Sequence, residues 1–294
     1  MSFRFGAGLL AVSLVVFNSS STSFGGLIMH FDPSDLSRMF EDGNTGGGTD
    51  PLDPPFIGET VRWIESQVNG FDIQQAGAGP ILGAGPGGSK PYVLDFNGGT
   101  QNLLALSVNA GNILSPVTEL NTDTLTIILA GRANADAAGL STFINLNYVA
   151  GFGGANLVSL EYDHDANELI GRASGGSVSA AVAEGKWFVA ELVWDGGNGV
   201  SLSVDGALAG TDASSAVAGI DFDRSRIGRA ASNSGTLNGS VGDVYIFDSA
   251  AENNGALIES LVAAYAVPEP SGLSLVVCVL LALATAARLQ LRHV

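Results

Sequence analysis

Short apolar runs recur along this chain, and residues that favour turns separate them. Leu125–Ala130, Trp187–Trp194 and Val200–Val204 are examples. The last of these leads into Asp205-Gly206, a dipeptide typical of a tight hairpin turn. Short runs spaced about ten residues apart indicate a sandwich or a barrel of antiparallel strands. No repeat of fixed period is apparent, which argues against a propeller or a solenoid.

Two glycine-rich loops and one helix are expected to depart from the strand pattern, and Asp42–Pro55 is the first of the loops. The stretch Pro80–Pro91 is rich in glycine and proline, so we predict a loop there. Near the end of the folded part, Asn254 is placed to cap a helix that runs through Tyr265. Three apolar residues would share one face of that helix: Leu257, Leu261 and Ala264.

The chain has one cysteine, Cys278, which lies in a C-terminal apolar run. An intramolecular disulfide is therefore impossible, and the count excludes a thiol enzyme or a cysteine-ligated zinc site in the folded part. Hydrophobic residues make up 46% of the chain, which is ample for a core.

The formal net charge of −17 limits the possible partners. Nucleic acid is excluded, since phosphate binding needs clustered lysine and arginine. An acidic surface is compatible with calcium as a possible cofactor, but plain solubility is the favoured explanation of the charge. The candidate calcium ligands are aspartates, foremost Asp163, Asp165 and Asp243, and then Asp221 and Asp223. No zinc motif or EF-hand spacing is present.

Residues 1–25 have the organisation of a secretory signal peptide. Arg4 is the only charge, Gly6–Phe17 is apolar, and Asn18–Gly25 is small and polar. Ser21 and Ser23 suit the −3 and −1 positions of a cleavage site. We therefore expect the chain to be exported, although a buried strand would also fit the apolar run.

Residues 267–294 form a separate C-terminal unit. Val267, Pro268, Glu269 and Pro270 precede an uncharged apolar run, Gly272–Ala287, and a basic tail follows it. The run is near the lower length limit of a transmembrane helix, and the basic tail favours a cytoplasmic end.

This ending resembles the PEP-CTERM sorting signal of Gram-negative bacteria with exopolysaccharide-rich envelopes. The resemblance implies an exosortase-type processing protease as a partner. It also implies an inner-membrane intermediate on the way to the cell surface or the extracellular matrix. A plain single-span membrane anchor is the alternative.

Between the two ends, residues 26–266 resemble the laminin G-like, concanavalin A-like superfamily. Trp63 followed by Asn69–Asp72 is similar to the family's entry motif, with Glu65 in place of an aspartate. Further matches follow in the family's order at Asp95–Gly99, Trp187–Ala190, Val193–Gly196, Leu202–Gly206 and Gly239–Phe247. The resemblance implies an all-β, two-sheet antiparallel jelly-roll sandwich that binds carbohydrate, protein or calcium on its loops or its concave face.

The favoured function is a non-enzymatic binding or structural domain of the cell surface, for exopolysaccharide or a surface protein. The alternative is a glycan-acting hydrolase or lyase of the same fold, for which Glu161, Asp163, Asp165 and Glu168 come nearest to a paired-carboxylate motif. Asp163–Asn167 looks instead like a hairpin turn, so no catalytic residue is assigned. A third hypothesis is a passenger whose only constraint is sorting.

Aromatic side chains are candidates for stacking on sugar rings. The inventory is Trp63, Tyr148, Tyr162, Trp187 and Trp194. Trp187 and Trp194 lie seven residues apart in one strand, so they should face opposite sides of a sheet, and one should lie in the core.

Overall fold

The computed structural model of the chain is a sandwich of antiparallel strands with one C-terminal helix. The structure describes residues 26–41, 55–68, 72–75, 79–99, 104–106, 119–120, 124–135, 137–147, 158–173, 175–213, 220–229, 235–249 and 254–266. The expected signal peptide and the C-terminal sorting unit lie outside these residues. No helix in the described ranges is long and apolar enough to cross a bilayer.

The strands, in chain order, are β1 (Leu27–Phe31), β2 (Met39–Glu41), β3 (Val61–Glu65), β4 (Asp72–Gln75), β5 (Ile81–Gly87), β6 (Lys90–Asn97), β7 (Leu104–Leu106), β8 (Glu119–Leu120), β9 (Thr124–Ala133), β10 (Leu140–Asn147), β11 (Val158–Asp163), β12 (Glu168–Ala173), β13 (Gly176–Ala181), β14 (Trp187–Asp195), β15 (Gly199–Val204), β16 (Ala207–Asp212), β17 (Ile220–Ile227) and β18 (Asn238–Phe247). A short 3-10 turn, Leu36–Arg38, precedes β2, and helix α1 spans Gly255–Tyr265.

These strands form two sheets whose inner faces enclose the core. The eight-stranded sheet has the order β16-β15-β14-β9-β18-β6-β5, and β1 also pairs with β18. The ten-stranded sheet has the order β13-β12-β11-β10-β17-β7-β4-β3-β2, and β8 also pairs with β17. The expectation of an all-β, two-sheet antiparallel architecture is confirmed in the described residues.

Alternation along the strands fills the space between the sheets with apolar side chains. Trp194, Tyr162, Phe143 and Phe188 are among the largest fully enclosed residues. The rings of Phe143 and Phe188, one from each sheet, meet edge to face at 5.3 Å. A disulfide-free chain thus derives its stability from a continuous apolar core.

Two details of the sequence interpretation are confirmed. Asp205 and Gly206 have φ angles of +51° and +80°, which is the conformation of a two-residue hairpin turn between β15 and β16. Trp194 is fully buried in the inner core, whereas Trp187 packs on the opposite face of β14 beneath α1.

The predicted loop at Pro80–Pro91 is wrong, because this segment forms the hairpin of β5 and β6. Glycine here permits close packing between strands. A side chain at Gly83 would collide with the carboxylate of Asp95, and one at Gly85 would collide with the backbone carbonyl of Lys90. Glycine therefore marks a crowded edge strand at this point rather than a flexible loop.

The helix is confirmed, but its buried face differs in detail. Ile258, Leu261 and Tyr265 are the buried residues, while Leu257 and Ala264 are only half-buried. The side chain of Asn254 makes no cap hydrogen bond. The helix covers the outer face of the eight-stranded sheet, where it encloses a second apolar cluster.

Candidate functional site

The outer face of the ten-stranded sheet carries polar side chains where two strands meet. We call Thr142, Asn145, Ser159, Glu161 and Arg172 the polar face. Asn145 lies opposite Ser159, Thr142 lies opposite Glu161, and Ser159 lies opposite Arg172. The chain neighbours of Asn145, Ser159 and Glu161 are apolar residues of the inner core, so these three side chains point away from it. Thr142 and Arg172 lie opposite Glu161 and Ser159, which places them on the same face.

A β-bulge makes this arrangement possible. Thr142 and Asn145 are three residues apart, which in a regular strand would place them on opposite faces. The register of β10 against β11 shifts between Thr142 and Ile144, so Phe143 is an extra residue. Both polar side chains consequently share the outer face, while Phe143 enters the core.

An ion pair lies at one side of the polar face. Glu161 is only 6% exposed, and its Oε2 accepts a 2.8 Å hydrogen bond from Arg172 Nε. Its Oε1 accepts a 3.0 Å hydrogen bond from the Ser159 hydroxyl. Both carboxylate oxygens are thus engaged, and the charge of Glu161 is compensated inside the face.

The centre of the polar face holds polar atoms without protein partners. Thr142 and Asn145 have no solvent exposure. Within the described part of the chain, Thr142 Oγ1 and both amide atoms of Asn145 have no hydrogen-bond partner. Such atoms are rare in folded proteins, and each costs about 1–3 kcal/mol. An unpaired donor and an unpaired acceptor on one amide fit a ligand with hydroxyl groups.

Trp63 lies further along the same face. Its β3 neighbour Ile64 is in the core, so Trp63 points outward, and its ring meets Phe40 edge to face at 4.8 Å. The indole Nε1 is buried, and no residue of the described ranges accepts its hydrogen. Trp63 therefore adds a half-exposed aromatic surface and another unpaired donor.

A second cluster, which we call the buried ion cluster, lies at the edge of the other sheet beside α1. It consists of His30, Asp32, Lys90, Asp243 and Tyr265. Lys90 Nζ lies 2.8 Å from both Asp32 Oδ2 and Asp243 Oδ1. The Tyr265 hydroxyl donates to Asp243 Oδ2 at 2.7 Å and accepts from the Asp243 backbone N–H at 2.9 Å. His30 Nε2 lies 3.3 Å from Asp243 Oδ1.

Opposing effects set the pKa values in the buried ion cluster. Burial favours a higher pKa for Asp243, but the contacts with His30 and Lys90 hold that pKa below its ordinary value. Burial likewise favours a lower pKa for Lys90, but Asp243 and Asp32 raise it above its ordinary value. Burial and the charge of Asp243 raise the pKa of Tyr265, which therefore remains a donor. The cluster is a charged structural network.

A third arrangement has the order of a nucleophile, a base and an acid. His164 Nε2 lies 2.9 Å from Ser141 Oγ, and His164 Nδ1 lies 2.7 Å from Glu184 Oε1. The hydroxyl of Ser141 also accepts from the Asn238 backbone N–H at 3.2 Å and lies 3.3 Å from the Thr236 carbonyl. Ser141 is 3% exposed, so its hydroxyl is enclosed and fully hydrogen-bonded.

The geometry around Ser141 gives it a structural role. The three partners of its hydroxyl come from the β11–β12 turn and from the segment that enters β18. The N–H of Thr142, the next residue, is already bonded to the Gly235 carbonyl, so it is not available to stabilise an oxyanion.

Replacing Ser141 tests that role. We expect Ser141→Ala to lower the free energy of unfolding by about 1–3 kcal/mol, because His164 and the Asn238 N–H lose a buried partner. Urea titration measures the loss. Serine-directed fluorophosphonate should not label the wild-type chain. Labelling that disappears in Ser141→Ala would instead identify a reactive nucleophile.

The candidate calcium ligands Asp163, Asp165 and Asp243 do not lie together in the structure. Asp163 Oδ1 accepts from the backbone N–H groups of Asp165 and Ala166, which closes the β11–β12 turn. Asp165 and Asp163 thus belong to that turn, whereas Asp243 belongs to the buried ion cluster. In the described ranges, no three histidine, cysteine, aspartate or glutamate residues group together as metal ligands. The side chains of Asp221 and Asp223 lie outside the described part.

The remaining candidate carboxylates and aromatic residues lie at different positions in the fold. Glu161 belongs to the polar face, and Glu168 lies opposite Asp163 on the neighbouring strand. Of the aromatic candidates, Tyr162 and Trp194 lie in the core. Tyr148 and the sorting residues Val267, Pro268, Glu269 and Pro270 lie outside the described residues.

A cavity of about 510 Å³ lies where α1 begins, beside β14 and the β15–β16 turn. Its lining includes Glu191, Asp205 and Glu259. Burial raises the pKa of Glu191. Asp205 accepts from the Val189 N–H, and Glu191 accepts from Asn254, so two of these carboxylates already have protein partners.

Comparison with known proteins supports the fold. No family model matches the sequence, and no curated protein matches it either. The structure is similar to Trypanosoma rangeli sialidase in complex with the inhibitor DANA, with a TM-score of 0.52, 16% identity, and coverage of 68% of this chain and 30% of that one. The same sialidase with 2,3-difluorosialic acid, described as a covalent intermediate, gives a TM-score of 0.53, 16% identity, and coverage of 80% and 32%. The chain spans about a third of the length of these sialidase chains. At this identity the likeness shows a shared all-β fold.

Proposed function

We propose that this chain is an exported cell-surface or matrix protein whose sandwich binds carbohydrate at the polar face, without catalysing a reaction. The unpaired amide of Asn145 carries the proposal. It offers one donor and one acceptor at a site where each is costly to leave unsatisfied. Sugar hydroxyls supply both complementary functions. The signal-like N-terminus supports export, and the sorting-like C-terminus supports processing by an exosortase-type protease.

The composition of the polar face favours binding over hydrolysis. Paired-carboxylate hydrolysis needs one carboxyl group that can act as an acid and a second carboxylate nearby. Glu161 is bonded to Arg172 and Ser159, and Asp163 closes its own turn. Neither carboxylate is positioned as a proton donor to a bound sugar.

Because Asn145 is enclosed, we expect carbohydrate to bind slowly. Because its side chain has no solvent exposure, a ligand can contact the amide only after neighbouring groups shift. Binding is then coupled to a local opening of the face, and association is slower than diffusion allows.

Affinity electrophoresis of the full chain against hydroxyethylcellulose, xylan, dextran and alginate tests the proposal, with and without calcium. We expect at least one polymer to retard the chain. Asn145→Leu should abolish the retardation while raising the free energy of unfolding by about 1–2 kcal/mol, because a similar-sized apolar group replaces an unsatisfied buried one.

The matched control is Asn198→Leu, at an exposed turn of the other sheet. It should leave retardation unchanged. Retardation that persists in Asn145→Leu would place the site elsewhere. Release of reducing ends from the retarding polymer would replace the binding function with a hydrolytic one.

A further inference from the structure

Asn145 of the polar face and Trp63 lie on one continuous cross-strand row of the ten-stranded sheet. Asn145 lies opposite Arg226, and Arg226 lies opposite Ala105. The pairing then continues through Gln74 to Trp63. The row therefore crosses β10, β17, β7, β4 and β3 at right angles to the strands.

The spacing of the strands sets the length of this row. Four inter-strand steps separate Asn145 from Trp63, and neighbouring strands lie about 4.8 Å apart, so the two side chains start about 19 Å from each other. A single sugar ring cannot contact both. A chain of several linked sugars can.

Both ends of the row have unsatisfied hydrogen-bonding atoms. In the described ranges, seven buried side-chain atoms have no hydrogen-bond partner, and four of them belong to Thr142, Asn145 and Trp63. Trp63 also offers an aromatic surface, on which the apolar face of a sugar ring can stack. The row thus has two chemically different subsites.

We propose that the ligand is a linear polysaccharide segment that lies across the strands, with a hydrogen-bonding subsite at Asn145 and a stacking subsite at Trp63. This inference rests on the proposed function. It specifies an internal stretch of a polymer rather than a terminal monosaccharide. The polar centre fixes the position of the chain, and the aromatic end adds affinity only when the chain is long enough to reach it.

Size-graded oligosaccharides of the polymer that retards the chain test this inference by calorimetry. We expect the affinity to rise with length and to reach a plateau once both subsites are spanned. Trp63→Ala should weaken binding of the long fragments about 30-fold, which corresponds to about 2 kcal/mol, and leave short fragments unaffected. Asn145→Leu should weaken binding of all lengths.

Two further variants guard against misfolding and non-specific effects. Trp63→Phe keeps a stacking ring, so it should retain most of the length dependence. Phe56→Ala removes an exposed aromatic ring outside the row and should change nothing. Equal affinity of monosaccharide and polymer overturns the extended-chain inference while leaving the carbohydrate-binding function intact. Failure of every polymer to bind overturns both.

Discussion

Lys90→Met is expected to lower the free energy of unfolding by about 3–5 kcal/mol, because it leaves the buried carboxylate of Asp243 without its cation. Asp243 has no solvent exposure, and Lys90 Nζ lies 2.8 Å from its Oδ1. Methionine has a similar length and fills the same space. The loss of stability therefore arises from the unpaired charge of Asp243 rather than from a cavity. Urea or thermal unfolding near neutral pH measures it.

The pH dependence of this loss follows from the pKa shifts. Because folding lowers the pKa of Asp243, its contribution is present above the ordinary value of 3.8 and disappears as the pH falls through its folded pKa. Because folding raises the pKa of Lys90, its contribution is present below the ordinary value of 10.5 and disappears as the pH rises through its folded pKa. In the variant, burial without Lys90 raises the pKa of Asp243 relative to wild type, so the difference between the two proteins should be largest near neutral pH. It should shrink in acid as Asp243 takes up a proton, and in alkali as Lys90 of the wild type loses its proton.

The double variant Lys90→Met with Asp243→Asn provides the control. An asparagine carries no charge and can still accept from Tyr265, so much of the lost stability should return. If Lys90→Met costs less than 1 kcal/mol, or if its cost does not change between pH 7 and pH 3, the pair is not the buried charged network described above.

Much of the fold was predictable because its signals are local. The strand of Trp187 and Trp194, the Asp205-Gly206 turn and the terminal helix each follow from periodicity or turn chemistry within one short segment. The hairpin of β5 and β6 was missed because glycine occurs both in flexible loops and in strands that pack closely. We interpreted the glycines as a sign of flexibility, whereas Gly83 is required because a larger side chain would collide with Asp95.

The polar face was not predictable, because a β-bulge creates it. Alternation places Thr142 and Asn145 on opposite faces of a strand, and only the extra residue Phe143 brings them together. Ser159 and Arg172 then reach the same face through strand pairing, which the sequence does not reveal. The sequence did single out Glu161, but only as the nearest approach to a paired-carboxylate motif.

The same reasoning explains Asp243, which the sequence analysis placed among the candidate calcium ligands. The register of β18 against β9 shifts between Val241 and Val244, so Gly242 and Asp243 lie at a bulge. At this point β18 exchanges one partner strand, β6, for another, β1. Lys90 begins β6 and His30 lies in β1, so the exchange brings both to Asp243.

Gly242→Ala adds one methyl group beside α1, and we expect it to lower the stability of the protein strongly. A Cβ at this position would overlap the hydroxyl and ring of Tyr265, which is only 1% exposed. The ring must then leave its place. Its departure loses about 1.5–3 kcal/mol of apolar burial, and the loss of its hydrogen bonds to charged Asp243 costs about 1.5–3 kcal/mol more. We expect the free energy of unfolding to fall by about 3–6 kcal/mol.

Gly255→Ala is the matched control, because a Cβ at this position would meet nothing within 4 Å. It lies at the first position of α1, where alanine is the better helix former, so stability should stay level or rise by up to about 1 kcal/mol. Hydrogen exchange separates local from global effects: Gly242→Ala should speed exchange in α1 far more than in the ten-stranded sheet. Equal stability of the two alanine variants would show that Tyr265 does not hold the helix to the sheet. That result would remove the structural role assigned to the Tyr265–Asp243 contact.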